Sequence, residues 1–166
     1  ALSKARRIAK EKVCLSNQRQ VFLAVATYMV DEDRYGPQSY SKSDEWILRL
    51  KYAYINDEGF LCPEGMPLPE TQATNIAMNV NISGKQDSSG NSIAGSKPID
   101  GGTSSDTCLL MDSYKNWPGT NNWYMNDTKL IDPPEKERIA RHQLKANVMY
   151  LDGHGLSVSV PFLKSK

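Results

Sequence analysis

Arg141-His142-Gln143-Leu144-Lys145-Ala146-Asn147-Val148-Met149-Tyr150-Leu151-Asp152-Gly153-His154-Gly155, followed by Leu156-Ser157-Val158-Ser159-Val160, reads as a strand, a tight turn and a returning strand. Asp-Gly between two apolar runs is the strongest short-range hairpin signal, because both residues tolerate the positive φ that tight hairpin turns need. A two-residue turn at Asp152-Gly153 sets Tyr150 against Gly155 and Val148 against Ser157. One more loop residue sets Ala146, Val148 and Tyr150 against Val160, Val158 and Leu156, which gathers the apolar side chains on one face. A one-residue slip turns every side chain over. The pattern therefore predicts a three-residue loop or a bulge near His154-Gly155, with Asn147 pointing away from the apolar face.

At the other end of the chain, residues 1–31 predict one long amphipathic helix. Ile8, Leu15, Phe22 and Met29 recur every seven residues, with Cys14, Val21 and Tyr28 beside them, while Lys4, Arg6, Arg7, Lys10, Lys12, Asn17, Arg19 and Gln20 occupy the other faces. Ala1-Leu2 opens directly into the helical pattern with no capping residue, so the helix is expected to continue upstream. The Asp31-Glu32-Asp33-Arg34-Tyr35-Gly36-Pro37 stretch ends it, since Gly and Pro break helical geometry.

Between these ends, Ser43-Asp44 can cap a short helix over 45–54 whose Trp46, Leu50 and Tyr54 share a face. Gly59-Phe60-Leu61-Cys62-Pro63 predicts a buried segment ending in a turn. Residues 64–105 are rich in Gly, Pro, Ser, Asn and Asp, with a short strand expected within 73–82 and a loop over 85–102. Residues 107–112 predict a buried strand, and 113–135 an irregular loop over the core. One long helix followed by short antiparallel strands is an α+β arrangement, and no repeat or linker divides residues 1–166 into more than one domain.

The 166 residues are 39% hydrophobic and 23% charged, enough apolar content for a usable core. A formal net charge of +1 and the lack of nucleic-acid-binding motifs argue against a nucleic-acid partner. The best apolar run, residues 21–30, is about half of the roughly 20 residues a bilayer span requires. Cys14, Cys62 and Cys108 permit one disulfide with one cysteine left over, and their number leaves the pairing open.

No residue pattern predicts catalysis. His142, Asp152 and His154 are the obvious candidates for a zinc site, but a catalytic zinc takes three protein ligands. If β geometry holds, the two histidines stand about 30 Å apart at opposite ends of the hairpin. Asp152 is expected to accept turn amide hydrogen bonds instead. The acidic 31–36 stretch fails the EF-hand pattern, with Tyr35 and Lys42 where oxygen ligands belong, so calcium is retained only as a non-EF site at that helix end. There is no Gly-x-Ser-x-Gly elbow, and Gly101-Gly102 lacks the Lys and helix start of a phosphate loop.

Several segments together resemble a known family. Residues 1–6 and Cys14-Leu15-Ser16-Asn17-Gln18-Arg19-Gln20, with Tyr28 and the turn over 31–37, resemble the region that follows the hydrophobic N-terminus of pilin-like prepilin proteins. Trp46, Leu50, Tyr54 and Phe60-Leu61-Cys62-Pro63 resemble the next block, and Met78-Asn79 with Leu110-Met111-Asp112-Ser113 the one after it. The most specific part is His-x9-Asp-Gly, carried by Arg141, His142, Ala146, Asn147, Asp152, Gly153 and His154. Gly155 departs from the family by standing where an apolar strand residue is usual.

The resemblance implies a pilin-like α+β fold, with a long N-terminal α-helix packed on a small antiparallel β-sheet. It also implies a non-enzymatic pseudopilin or pilin-like subunit of a type II secretion or type IV pilus-like system, with the motif residues structural. Implied partners are other pseudopilin subunits, the secretion apparatus and the inner membrane, the last through a hydrophobic anchor helix that this chain lacks. The implied location is the bacterial cell envelope, with the globular domain periplasmic or extracellular. A Cys14–Cys62 bridge in an oxidising compartment is also implied, leaving Cys108 outside it. Calcium is not carried over from the family, because its acidic C-terminal loop has no counterpart here, and no cofactor is expected. The alternative is a cell-surface glycan-binding module, in which Trp117, Trp123 and Tyr124 form a platform for sugar faces.

Overall fold

The computed structural model describes residues 2–32, 36–37, 45–51, 53–64, 74–79, 82, 85–86, 92–93, 105, 107–112, 124–125 and 141–159. Helix α1 spans Leu2–Asp31 and α2 spans Glu45–Lys51, followed by a 3-10 turn at Asp57–Phe60. The strands are β1 (Ile76–Asn79), β2 (Lys85–Gln86), β3 (Ser92–Ile93), β4 (Cys108–Asp112), β5 (Tyr124–Met125), β6 (Lys145–Tyr150) and β7 (Gly155–Ser159). The main sheet has the order β5-β1-β4-β6-β7, and β2 pairs with β3 in a separate two-stranded ribbon. Four of its strands are antiparallel and carry α1 on one face, so the chain is an α+β protein.

Two elements depart from the sequence expectation. Residues 85–102, expected as loop, contain the β2–β3 ribbon, and the 113–135 region contributes β5, which joins β1 in parallel at Met78↔Tyr124 and Asn79↔Met125. A two-residue strand carries too little periodicity to be recognised; only its pairing defines it.

The docked stripe of α1 also differs from expectation. Its buried residues are Cys14, Gln18, Val21, Ala24, Val25, Tyr28 and Met29, spaced mostly three and four apart, whereas Ile8 is exposed and Leu15 and Phe22 flank the contact. Contact with the sheet begins only near Glu11, so the first third of the helix has no sheet beneath it. Val21, Val25, Tyr28 and Met29 join Trp46, Ile47, Leu50, Phe60, Ile76, Met78, Leu110 and Met149 in the principal core. Edge-to-face rings tie its parts together: Trp46 on Phe60 and Tyr28 on Tyr54, each with centroids 5.9 Å apart. The expected shared face of Trp46, Leu50 and Tyr54 is present, although α2 ends at Lys51 and Tyr54 follows in a turn whose amide reaches Leu50 O.

The hairpin β6–β7 has a loop of the expected three residues, but over Leu151-Asp152-Gly153 and not extended towards His154-Gly155; it is closed by Tyr150 N to His154 O and Gly153 N to Tyr150 O. Its register corrects the expected one: Ala146 faces Val158 and Val148 faces Leu156, two positions from the predicted partners. A two-residue shift preserves the faces, which is why the apolar side chains still share one side. That side, with Ala77, Met111, Ala146, Val148 and Val158, lies away from the Met149 face that α1 covers. Facing α1 instead are Asn147, Met149, Gly155 and Ser157.

Small residues permit this close docking. A Cβ on Gly155 would stand 2.7 Å from Met149 Sδ and 2.9 Å from Leu15 Cδ1, so the absence of an apolar strand residue there admits the helix. Gly153 takes φ +88° in the turn, beneath the Phe22 ring. The structure also has strain: Gln143 and Leu144 both have positive φ, 55° and 64°, in a tight turn closed by two hydrogen bonds between His142 and Lys145.

Two stability predictions follow from these positions. Gly155→Val should destabilise the fold by about 1–3 kcal/mol through overpacking. Gln143→Asn with Leu144→Gly should stabilise it by about 1 kcal/mol, because those residues suit the left-handed turn. Urea unfolding of the two variants against the parent checks both signs.

Candidate functional site

Four buried side chains from four separate parts of the chain converge beneath α1: Cys14 from the helix, Cys62 from the segment after the 3-10 turn, Asp112 at the end of β4 and His142 just before β6. One ligand-type atom from each lies within 4.8 Å of the others. Local structure fixes each position. Asn17 of α1 donates to the carbonyls of Glu58 and Leu61 at 3.2 and 2.7 Å, and Asn75 accepts from the Cys62 amide and donates back to its carbonyl, so the Cys62 segment is held from both sides. The left-handed turn after His142 closes directly on its backbone, which sets the ring against β4.

Asp112 is the centre of the cluster. Its Oδ1 accepts from Cys14 Sγ at 3.0 Å and from Gln18 Nε2 at 2.9 Å, while Oδ2 accepts from the Asn147 backbone N–H at 2.7 Å and faces His142 Nε2 at 3.2 Å. His142 Nε2 also lies 3.4 Å from Cys62 Sγ, and its Nδ1 is 2.9 Å from Glu64 Oε2. Every ring nitrogen therefore has an acidic partner. Burial by itself pushes the His142 pKa down, but bonding to Asp112 and Cys62 overrides it and raises the pKa well above the ordinary histidine range. The two thiols are split: the hydrogen bond from Cys14 holds the Cys62 pKa down, with His142 and Arg141 adding to the effect against burial, and the same bond pushes the Cys14 thiol far up. A proton shared among buried, unlike groups is typical of a site that binds a cation or fixes a fold, and both outcomes use the same geometry.

Asn147 extends the network along β6. Its Nδ2 donates to Glu11 O at 3.3 Å, and Ser157 Oγ reaches both Asn147 Oδ1 at 2.6 Å and Glu11 Oε1 at 2.8 Å. Polar groups thus line the α1–hairpin seam where an amphipathic helix would ordinarily bury only carbon.

Of the sequence-predicted motif, the structure divides the residues between the two ends of β6. His142 and Asn147 enter the buried network, with Arg141 acting electrostatically on Cys62, while Ala146 packs on the opposite sheet face. Asp152, Gly153 and His154 form the hairpin turn at the far end: Asp152 Oδ1 accepts from His154 N at 3.0 Å and bonds its Nδ1 at 2.6 Å, and the His154 ring stacks on Tyr150 at 4.2 Å. The nine intervening residues are one strand and its flanks. His142 and His154 do not share a site.

Cys14 and Cys62 place their sulfurs within 4.8 Å of each other, but the expected bridge between them is not formed and both are free thiols. Cys108 stands apart on β4, where burial pushes its pKa up to about 12. At the acidic helix end, Asp31 Oδ2 accepts from Tyr54 O–H at 2.6 Å, a bond that raises the Tyr54 pKa to about 12, and residues 33–35 lie outside the described residues. Trp117 and Trp123 lie outside them too, and Tyr124 contributes backbone to β5. The residues that sequence reasoning missed are Gln18, Glu64 and Asp112. A polar Gln18 in phase with the apolar stripe of α1 was the available signal.

No family model, curated protein or solved structure matches the chain. What the chain does must be argued from its own geometry.

Removing the centre should be costly. Asp112→Ala leaves His142 Nε2, Gln18 Nε2 and the Asn147 N–H without their buried carboxylate, and loss of one partner from a buried pair costs about 3–5 kcal/mol. Glu64→Ala, at the partly exposed rim, should cost about 1 kcal/mol in the same urea titration.

Proposed function

We propose that this chain is the globular part of a non-enzymatic, pilin-like assembly subunit of a type II secretion or type IV pilus-like system. The observation that carries the proposal is the division of α1. Residues 14–29 are clamped to the sheet, while residues 2–10 are exposed on every face and extend the helix beyond it. Residues 2–10 amount to about 14 Å of helix. Apolar Leu2 and Ile8 are exposed on this extension, and Val13, Leu23 and Val30 are exposed on the outer side of the rest of the helix. A helix that projects from its own domain and displays apolar side chains suits packing between the helices of successive subunits.

The burial of the titratable cluster supports a non-enzymatic role. Cys14, Asp112 and His142 have no exposed surface and Cys62 is 4% exposed, so a substrate has no approach to them. In this reading the cluster holds the helix rigidly against the head, and the filament transmits force through that junction. The partners in this reading are other pilin-like subunits, the secretion apparatus and the inner membrane. No helix among the described residues is long and apolar enough to cross a membrane.

The mature N-terminus of the natural protein and its cell fraction test this function. A short leader removed ahead of about 20 apolar residues, with the protein in the inner-membrane or filament fraction, is expected. A conventional secretory signal with a freely soluble product would overturn the proposal and favour a secreted binding module.

A further inference from the structure

We propose that Cys14, Cys62, His142 and Asp112 form a closed structural site for a zinc ion that joins α1 to the sheet. Two sulfurs, one imidazole nitrogen and one carboxylate oxygen are a donor set that selects zinc over the hard oxygen-seeking cations. An ion about 2.0–2.3 Å from each ligand places the ligand atoms about 3.3–3.8 Å apart in a tetrahedron. The structure has Cys62 Sγ at 3.4 Å from His142 Nε2, His142 Nε2 at 3.2 Å from Asp112 Oδ2, and Cys14 Sγ at 3.0 Å from Asp112 Oδ1. Those distances involve both Asp112 oxygens; with one ligand atom taken from each residue the four lie within 4.8 Å of one another, so side-chain adjustments that bring a single Asp112 oxygen to the ion complete the polyhedron.

The surroundings are those of a metal site. Glu64 Oε2, 2.9 Å from His142 Nδ1, takes the outward N–H and turns Nε2 inward, the carboxylate–histidine arrangement that orients metal-bound imidazoles. The Asp112 carboxylate is held in the same way by Gln18 Nε2 and the Asn147 amide. The site also explains why a buried interface carries two thiols, an imidazole and a carboxylate where apolar side chains would pack as well.

Protons balance as follows. On binding, both cysteines coordinate as thiolates and His142 through an unprotonated Nε2, and any proton those atoms carry beforehand leaves to solvent. Zinc with two thiolates, one neutral imidazole and one carboxylate carries a net charge of −1, with Arg141 acting nearby. With four protein ligands and no exposed face the ion has no open position, which makes it structural and not catalytic. The Cys14–Cys62 disulfide uses the same sulfurs and excludes the ion, and it requires a two-electron oxidant, so the two states are distinguishable.

The test uses the full chain, refolded with zinc under reducing conditions, and then with cobalt as a spectroscopic probe. About one zinc per chain is expected in the parent and in Cys108→Ser, falling to under about a tenth in Cys62→Ser and His142→Ala. Because those variants can fail to fold, the cobalt form of the parent is read as well: thiolate-to-metal charge transfer with the strong visible bands of tetrahedral cobalt is expected. The same ion should raise the thermal midpoint, and chelation should lower it. Absence of the charge-transfer band, zinc retained by folded Cys62→Ser, or a parent chain that forms the Cys14–Cys62 disulfide and takes up no zinc when reduced would each overturn the proposal.

Discussion

The Asp112 carboxylate is the constraint around which this fold is arranged. It sits without solvent contact at the end of β4, accepts from α1 twice and from the β6 backbone once, and faces His142 in the turn that leads into β6. A buried carboxylate is tolerated only with its lone pairs occupied, so the helix, the central strand and the hairpin must reach it together. Apolar packing alone would let α1 slide or rotate on a sheet of Ile, Leu and Met side chains. Convergence on one carboxylate fixes both its height and its rotation, which makes the junction specific as well as stable.

That junction explains the unusual distribution of side chains on the C-terminal hairpin. The richest apolar face of β6 and β7 turns away from the helix, and the helix instead meets Asn147, Ser157 and Gly155. The polar seam runs from Asp112 through Asn147 and Ser157 to Glu11, the last point at which α1 touches the sheet. Beyond it the helix is exposed. The apolar anchoring of α1 lies at the other end, where Tyr28 and Met29 pack with Trp46, Phe60 and their neighbours.

Much of the framework was legible in the sequence because it rests on local rules. The 3.6-residue period marked α1 almost to its observed ends, Asp152-Gly153 marked the hairpin turn, and the Cys108-Leu109-Leu110-Met111 run marked β4. The docked face of α1 was less legible, since a heptad of Ile8, Leu15, Phe22 and Met29 competes with the overlapping stripe that contains Gln18. Parallel β5 and the exact hairpin register depend on pairing between distant segments. So does the cluster: Cys14 and Asp112 are 98 residues apart, and Cys62 and His142 are 80 apart. The spacing in the sequence already sets His142 and His154 at opposite ends of one strand, as β6 has them, but nothing local shows that His142 pairs with cysteine and carboxylate from elsewhere. Local patterns carry no information on such encounters.

A helix fastened near its middle and exposed before that point is the feature that joins fold to function in this account. Amide hydrogen exchange along α1 in the isolated chain tests it most directly. The account predicts a step near Cys14: amides of the clamped segment, through Met29, exchange only with global unfolding, and those before Glu11 exchange orders of magnitude faster. Uniform protection along the whole helix, or a protected N-terminal third with a labile clamped segment, would contradict it.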